Sequence, residues 1–291
     1  GMSYKDTINK NIERVSALVD QKVQKTTDGV PLFNWLELSP IDTCNRACTF
    51  CPKVDPSIAP NQNLTMPETC YRKMADELKD LSYQGTVMLA GYGEPLLSKS
   101  AVDMVRAFSS VANTEVTTNG DPLTPVMIGN LIEAGIGKII VSLYDGPHQI
   151  DEFTALFKEA GAPEDAFILR DRWYSVDDEF GVKLTNRAGT VSAGHQPEVQ
   201  IDKPCYYPHY MMMIDWNGDA FLCTQDWNRR VKSGNVFLTS LLDVWTSSNL
   251  RKFRKMLGGG KRGDWPCKGC NAVGTIHGEV HKDAWNEFYA K

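Results

Sequence analysis

Three cysteines lie close together in one segment, Cys44, Cys48 and Cys51, with the spacing CxxxCxxC. Three thiolates on a short loop can hold three irons of a [4Fe–4S] cube and leave the fourth iron open to a substrate or cofactor. Structural zinc sites prefer paired CxxC ligands and a fourth protein ligand, and no histidine lies nearby. The spacing therefore favours an iron–sulfur cluster, with a zinc loop as the alternative.

A second set of cysteines lies in the last third of the chain. Its members are Cys205, Cys223, Cys267 and Cys270. The dipeptide Asn217-Gly218 between the first two is a strong hairpin signal and would bring them together. Four thiolates complete the ligation of a cluster, which then would not bind substrate directly. A structural zinc ion held by the same four thiolates is the alternative.

The cysteine spacing, with the aromatic Phe50 before the last cysteine, resembles that of the radical S-adenosylmethionine (SAM) superfamily. The segment Gly91-Tyr92-Gly93-Glu94-Pro95 is similar to the glycine-rich motif of that family. The resemblance implies that the open iron binds the methionine amino and carboxylate groups of SAM. Reductive cleavage then yields a 5′-deoxyadenosyl radical that abstracts a hydrogen atom from substrate. It also implies that Phe50, Gly91, Tyr92, Gly93 and Glu94 bind SAM.

Three further polar residues follow or end predicted strands and match the family more loosely. They are Asn119, Ser142 and Arg170. The resemblance implies that the segment containing Asn119 contacts the ribose and that Arg170 pairs with the methionine carboxylate. In α/β folds, ligands bind at the carboxyl ends of the strands, which is where these residues fall. The alternative for each is an ordinary turn residue or a surface charge.

The second cysteine set resembles the twitch domain, the short form of the SPASM extension, which carries one auxiliary [4Fe–4S] cluster. A full SPASM domain needs further cysteines for a second cluster, and none follows Cys270. The resemblance therefore implies one auxiliary cluster with Cys205, Cys223, Cys267 and Cys270 as its ligands.

Candidates for proton or hydrogen transfer are fewer and less specific. Asp226, shortly after Cys223, could accept a proton released when an alcohol radical is oxidised. The leftover Cys70 could act as a hydrogen-donating thiol, as in some radical epimerases, but it shares an apolar helix face and so also fits the core. Asp145 and His148 could face the cavity, or act as a cap and a loop residue. The mixed aromatic and polar stretches 170–174 and 186–189 suit a polyhydroxylated ligand or an interdomain seam.

The elements that would position these residues alternate along the first half of the chain. The pattern predicts strands at 33–38, 86–90, 115–118, 138–143 and 166–169 and helices at 4–25, 99–112, 124–134 and 148–160. A capping box at Thr65–Glu68 predicts the start of a further helix. Regular alternation implies parallel strands with right-handed crossovers. The expected fold class is α/β, a partial (β/α) radical SAM barrel of about five to six parallel strands.

The sequence pattern changes after about residue 175, where the helical periodicity stops. Strands at 210–215 and 220–223 flank the Asn217-Gly218 turn, and a helix is predicted at 241–257. We therefore expect a radical SAM domain over 1–190, with an N-terminal helix. A small β-hairpin plus helix twitch domain follows over 191–291 and ends in a C-terminal helix.

Composition limits the function classes. The chain has 291 residues, eight cysteines, 31 basic and 36 acidic residues and a net charge of −5, which argues against nucleic acid as a partner. No apolar run is long enough to span a membrane. We expect no signal peptide in the polar N-terminus. Exposed clusters are damaged by oxygen, so a reducing, cytoplasmic environment is expected.

The function implied by the resemblance is a radical SAM oxidoreductase acting on a small polar substrate. The most specific expectation is dehydrogenation of a sugar, aminocyclitol or other polyol, with the auxiliary cluster as electron acceptor. The expected partners are a polyhydroxylated small molecule and a flavodoxin- or ferredoxin-type electron donor. Radical epimerisation, peptide modification such as thioether formation, and a zinc-binding scaffold are the alternatives.

Overall fold

A computed structural model describes residues 4–48, 51–173, 187–191, 198–199 and 202–291. Its centre is one mixed sheet of eight strands in the order β5-β4-β3-β2-β1-β6-β7-β8. The strands are β1 (Trp35–Leu38), β2 (Thr86–Leu89), β3 (Asn113–Thr118), β4 (Lys138–Leu143), β5 (Phe167–Asp171), β6 (Met211–Ile214), β7 (Asp219–Phe221) and β8 (Lys232–Asn235). Pairing is parallel from β5 through β1 to β6 and antiparallel from β6 to β8.

Helices connect and cover these strands. They are α1 (Tyr4–Val19), α2 (Glu68–Asp80), α3 (Ala101–Ser109), α4 (Pro125–Glu133), α5 (His148–Glu159), α6 (Tyr207–Tyr210), α7 (Leu241–Trp245), α8 (Ser248–Gly258) and α9 (Glu279–Tyr289). Short 3₁₀ turns lie at Pro52–Val54, Pro95–Leu97, Glu164–Ala166 and Cys267–Gly269.

The two faces of the sheet differ because side chains alternate along each strand. Leu36 and Leu38 of β1 belong to the main core, which also contains the apolar residues of α2 to α5. Trp35, on the opposite face, packs in a smaller cluster with Val19 of α1. Helix α1 therefore covers part of the second face, and the rest of that face is left for a cavity.

The expected α/β partial barrel is confirmed, with six parallel strands. Several boundaries differ. The predicted fifth strand runs on to Asp171, so Arg170 lies within it and not after it. The predicted helix at 241–257 is two helices, because Ser247 begins a new one as an N-cap.

The helix start predicted at Thr65–Glu68 is confirmed, but the capping box is wrong. Helix α2 begins after Pro67, which has no side-chain cap, and Thr65 instead forms a β-bridge with Ile41. Proline fixes a backbone angle suited to the helix start, so the helix begins there without the hydroxyl.

The predicted hairpin is confirmed, and its first strand has a second role. Met211–Ile214 pairs parallel with β1 over its whole length. The two predicted domains therefore contribute to one continuous sheet. The domain boundary near residue 190 remains a prediction. Among the described residues, no helix is both long and apolar enough to cross a bilayer.

Candidate active site

A cavity of about 430 Å³ opens at the carboxyl ends of the parallel strands. Its wall contains Cys44, Cys48 and Cys51 after β1, and the glycine motif Gly91–Pro95 after β2. Tyr207, Thr224, Gln225 and Trp227 add a contribution from the C-terminal region. The cavity therefore lies between the two parts of the chain that the sequence marks as chemically active.

The loop carrying the first three cysteines is held by Arg46. Its guanidinium forms a two-pronged ion pair with Asp121, at 2.6 and 2.8 Å, and a second with Asp145, at 2.7 and 3.0 Å. The bonds from Arg46 lower the pKa of both carboxyls. Asp145, a candidate proton acceptor in the sequence, thus anchors the cysteine loop to the ends of β3 and β4.

The glycine motif packs against the chain that leads from β1 to the cysteines. Gly91 has φ +80°, and a Cβ there would lie 2.3 Å from the Cβ of Ser39. A Cβ on Gly93 would lie 2.3 Å from the carbonyl oxygen of Ile41 and 2.7 Å from that of Thr43. Glycine is required at both positions because a side chain would separate the two segments.

The carboxylate of Glu94 forms hydrogen bonds with other groups of the protein. It accepts hydrogen bonds from the backbone N–H of Leu96 (2.9 Å), the hydroxyl of Thr118 (2.9 Å) and the backbone N–H of Asn119 (2.6 Å). Burial raises its pKa to about 7. The side chain ties the glycine motif to the end of β3, so we propose that Glu94 supports a SAM site whose polar contacts come largely from the motif's backbone.

The three looser matches divide between the cavity wall and the layer behind it. Asn119 lines the cavity and donates to Asn45 (2.9 Å), next to Cys44. Arg170 also lines the cavity, and its Nη2 donates to the hydroxyl of Ser142 at 2.9 Å. Ser142 itself is buried and orients Arg170. A role for Asn119 and Arg170 in binding SAM stays a proposal.

Glu37 is a cavity residue that the sequence analysis missed. It lies on β1 with only 9% of its surface exposed, and it accepts a hydrogen bond from the indole N–H of Trp35 at 3.2 Å. Burial raises its pKa, while the charges of Arg170 and Arg187 oppose this. A carboxylate inside an otherwise apolar strand was the signal that could have found it.

The second cysteine set is buried. Backbone N–H groups of Gln225 and Ala272 point at the sulfurs of Cys223 and Cys270, each at 3.4 Å. A Cβ on Gly274 would lie 2.2 Å from the sulfur of Cys205, so the chain there approaches the thiol closely. Burial raises the pKa of Cys223 well above its ordinary value, and nearby Cys267 and Cys270 add to this. The four thiols therefore share one environment.

Arg262 joins the segments that carry this set. Its buried guanidinium donates to four backbone carbonyls, those of Lys203 (3.0 Å), Pro204 (3.0 Å), Ala272 (2.6 Å) and Val273 (2.9 Å). These bonds link the chain before Cys205 to the chain after Cys270. Nothing in the residue spacing indicates this role.

The structure does not support Asp226 as a proton acceptor. The residue is fully buried, and its two carboxylate oxygens accept hydrogen bonds from the backbone N–H groups of Arg230 (3.0 Å) and Val231 (2.9 Å). It does not line the cavity. Asp226 shapes the turn after Cys223, and its neighbours Thr224, Gln225 and Trp227 reach the cavity instead.

Cys70 lies in the main core on α2, 1% exposed, which is the packing role considered as its alternative. It is therefore not a thiol of the cavity wall. His148 is exposed at the start of α5 and also lies outside the cavity wall. Phe50, Tyr174 and Asn186 lie outside the described residues.

Both cysteine sets fit iron–sulfur clusters better than single zinc ions. In the described part of the chain, no three His, Cys, Asp or Glu side chains converge closely enough to hold one metal ion. The thiols of each set nevertheless lie close enough to raise one another's pKa. A multi-iron group needs three or four cysteine ligands around several atoms, and each set supplies them. We propose Cys44, Cys48 and Cys51 for the first cluster and Cys205, Cys223, Cys267 and Cys270 for one auxiliary cluster.

Comparison with known proteins agrees with this geometry. Residues 205–271 match the model of the SPASM family, described as an iron–sulfur cluster-binding domain. The chain is 29% identical over 248 residues to the S-adenosyl-L-methionine-dependent 2-deoxy-scyllo-inosamine dehydrogenase of Niallia circulans, covering 83% of this chain and 94% of the relative. A crystal structure of BtrN in complex with AdoMet and 2-DOIA superimposes with a TM-score of 0.71 at 28% identity, covering 83% of this chain and 94% of that one.

More distant similarities extend the same pattern. A GTP 3′,8-cyclase of Trichormus variabilis is 30% identical over 162 residues, 54% of this chain and 44% of the relative. The structure of native anSMEcpe with bound AdoMet shares the fold, with a TM-score of 0.53 at 13% identity, covering 88% of this chain and 96% of that one. On the cysteine sets, the glycine motif and these similarities together, the chain belongs to the radical SAM superfamily, has a C-terminal SPASM domain, and uses SAM and [4Fe–4S] clusters as cofactors.

Proposed function

We propose that this protein is a radical SAM dehydrogenase that oxidises a secondary alcohol of a small polyhydroxylated molecule, an aminocyclitol or sugar, to a ketone. The observation that carries the proposal is the shared cavity. The cysteine loop and the glycine motif form one side of it, and residues that follow Cys205 and Cys223 form the other. A substrate in this cavity would lie between an electron source and an electron sink. The dehydrogenase of Niallia circulans supports this choice of reaction.

Oxidation of an alcohol to a ketone removes two hydrogens. When bound, SAM would supply on reductive cleavage the radical that takes one as a hydrogen atom, and an oxidised auxiliary cluster, held by Cys205, Cys223, Cys267 and Cys270, would accept the remaining electron. The second hydrogen leaves the hydroxyl as a proton. The protein must therefore hold the carbinol carbon near the SAM site and provide an acceptor for that proton.

Glu37 is the side chain that best fits the proton-accepting role among the described residues. It lies in the cavity wall, and its raised pKa reflects a carboxylate deprived of water. A desolvated carboxylate is a stronger base than one in water, which suits removal of a proton from an oxidising hydroxyl. Trp35 fixes its orientation through the indole hydrogen bond.

We also propose an acidic flavodoxin or ferredoxin as the electron donor. Residues 229–270 contain acidic side chains only at Asp243 and Asp264. The same stretch contains many basic residues, of which Arg230, Arg251, Lys255 and Lys268 are exposed. A basic surface on a chain of net negative charge favours encounter with an acidic carrier.

The test is anaerobic incubation of the reconstituted protein with SAM, a reductant and a series of polyols. We expect 5′-deoxyadenosine together with a ketone product. In Cys223→Ala, 5′-deoxyadenosine should still form while the ketone is lost, because the electron acceptor is missing. Failure to form 5′-deoxyadenosine under any condition, including turnover without substrate, would exclude the proposal.

Epimerisation is the less suitable reaction because it needs a thiol that donates a hydrogen atom to the substrate. Cys70 lies in the core and not in the cavity wall. If the enzyme were an epimerase, solvent deuterium would enter the product and this would stop in Cys70→Ala.

A further inference from the structure

Most of the charged side chains in the cavity wall are paired within the protein. Arg14 pairs with Glu115, and Arg46 pairs with Asp121 and Asp145. The ammonium of Lys53 donates to Asn61 at 2.9 Å and to two backbone carbonyls. These groups hold the walls together and leave little charge for a ligand.

Two guanidinium groups of the wall differ from these. Arg170, from β5, and Arg187, from the segment before the auxiliary cysteines, both act electrostatically on the single buried carboxylate of Glu37. Each has a buried Nε–H without a hydrogen-bond partner among the described residues. Two cations thus share one carboxylate in the cavity wall.

The crowding of positive charge is strongest at Arg170. Its pKa lies well below the ordinary value because of burial, and neighbouring Arg172, Arg14 and Arg187 add to this effect. An arginine side chain stays protonated in proteins, so this environment holds more positive than negative charge. A buried donor without a partner is costly until a ligand supplies an acceptor.

In the proposed SAM site, the carboxylate of SAM would pair with one of the two guanidinium groups. Arg170, at the end of β5, is the residue expected to receive it. Arg187 lies farther along the wall, where it acts on Cys270 and on Tyr207 of α6, and Ala188 packs against Cys270. It therefore lies toward the side where the substrate would contact the auxiliary domain.

We infer that the substrate carries an anionic oxygen group, a carboxylate or a phosphate, that Arg187 binds while Glu37 contacts a hydroxyl. The inference rests on the proposed function, and it names the chemical class of the polyol. Guanidinium groups bind planar or tetrahedral oxyanions through two parallel hydrogen bonds, so an unpaired Nε–H suits such a group. An aminocyclitol fits this class where it also carries such an oxyanion, because an ammonium group alone would meet the like charge of Arg187 and Arg170.

The test is equilibrium dialysis of four ligands against the anaerobically reconstituted enzyme with SAM bound. The ligands are myo-inositol 1-phosphate, glucuronate, neutral myo-inositol and 2-deoxy-scyllo-inosamine. We expect one of the two anions to bind at least about tenfold more tightly than the neutral polyol. The same assays measure 5′-deoxyadenosine, and the better of the two anions identifies phosphate or carboxylate as the group.

Variants connect the preference to the residue. Arg187→Gln should weaken binding of the preferred anion about tenfold and change binding of myo-inositol less than twofold, while Arg187→Lys keeps part of the preference. Arg106→Gln, on the exposed surface of α3 and outside the cavity wall, is the matched control and should change nothing. If Arg187→Gln does not fold, the same comparison of ligands in Arg187→Lys and the wild type tests whether Arg187 carries the preference for the anion.

Three results would overturn the inference, and they have different meanings. Tighter binding and oxidation of the neutral or ammonium-bearing polyol would contradict the anionic group while leaving the dehydrogenase intact. If Arg187→Gln weakened the binding of all four ligands equally, Arg187 would only balance the charge of the auxiliary cluster. Absence of 5′-deoxyadenosine with every ligand, and without any, would contradict the dehydrogenase itself.

Discussion

Arg46 shows how a single side chain can define a cluster site without touching iron. The arginine lies inside the cysteine motif and forms ion pairs with the carboxylates of Asp121 and Asp145, at the ends of different strands. Only the planar, forked guanidinium can make both two-pronged contacts. The position of the cysteine loop over the cavity therefore depends on a residue between its ligands.

We predict that Arg46→Lys loses the first cluster and keeps the auxiliary one. A lysine has one point charge and cannot satisfy Asp121 and Asp145 together, so the cysteine loop loses its anchor. Iron content should fall from about eight to about four atoms per chain. Iron analysis and the anaerobic absorption spectrum measure this.

Arg72→Lys is the control for this prediction. Arg72 also pairs with two carboxylates, Glu68 and Asp103, but it is half exposed on α2 and far from the cavity wall. Its replacement should leave the iron content unchanged. An Arg46→Lys protein with full iron content and normal SAM binding would contradict the anchoring role.

At the scale of elements, the site depends on two connections lying against each other. The chain after β1 and the glycine motif after β2 approach so closely that Gly93 contacts the carbonyls of Ile41 and Thr43. The parallel pairing of β1 with β2 places both connections at the same end of the sheet. The cysteine loop and the glycine motif thus form a single packed structure.

We predict that Gly93→Ala weakens SAM binding and lowers the free energy of unfolding by about 1–3 kcal/mol, because backbone atoms cannot move aside for the new Cβ. Gly129→Ala is the matched control. Gly129 lies on exposed α4 with nothing within 4 Å of the added Cβ, so alanine there should stabilise by about 0.5–1 kcal/mol. Urea unfolding and SAM titration distinguish the two, and equal behaviour of both variants would count against the contact.

The helices of the C-terminal region pack around another buried side chain, His209 of α6. Its Nε2 lies 3.1 Å from the carbonyl oxygen of Arg254 on α8, and its own carbonyl accepts from the indole of Trp285 on α9. Burial, with the nearby charge of Arg254, lowers its pKa to about 3. His209 thus links three helices, through its neutral imidazole to α8 and through its backbone carbonyl to α9.

We predict that this link weakens as the pH falls. The unfolded chain binds a proton at His209 below about pH 6.5 and the folded chain does not, so stability from this residue is lost as pH falls through that value. The expected loss is about 1.4 kcal/mol between pH 7.5 and 5.5. Anaerobic urea unfolding at the two pH values measures it. In His209→Gln this part of the pH dependence should be absent, and an unchanged dependence would contradict the assignment.

At the scale of the whole molecule, the SPASM region completes the sheet of the radical SAM region. Strand β6 pairs with β1 along its full length, so the cavity wall and the central sheet both cross the predicted boundary near residue 190. We therefore expect the two parts to act as one folding unit, because each would expose unpaired backbone without the other.

We predict that a chain ending at residue 203 is insoluble or aggregated when expressed alone. Without β6, the edge of β1 is unpaired and the apolar face of the central strands is open to solvent. Solubility and gel filtration beside the full chain measure this. A soluble monomer of residues 1–203 that binds SAM would show instead that the first domain folds independently.

The sequence alone determined the chemistry of the cofactors and the class of fold. Cysteine spacing and the glycine motif are local patterns, and the strand–helix alternation repeats along the chain, so both can be recognised without a structure. The glycine motif, Asn119 and Arg170 were placed on the cavity by the same reasoning. The paired hairpin strands were predicted from the Asn217-Gly218 turn.

Only the tertiary structure decided which side chains face the ligand. Glu37 and Arg187 are 150 positions apart, and their approach depends on how β1 and a distant segment are arranged in space. The sequence offered Asp226 as a proton acceptor, but two backbone N–H groups from its own turn occupy its carboxylate. Residue spacing in the sequence identifies side chains that lie on the same loop and bind a common ligand. Burial, hydrogen-bond partners and the balance of charge in a cavity are properties of the folded chain, because they arise from contacts between segments that the sequence keeps far apart.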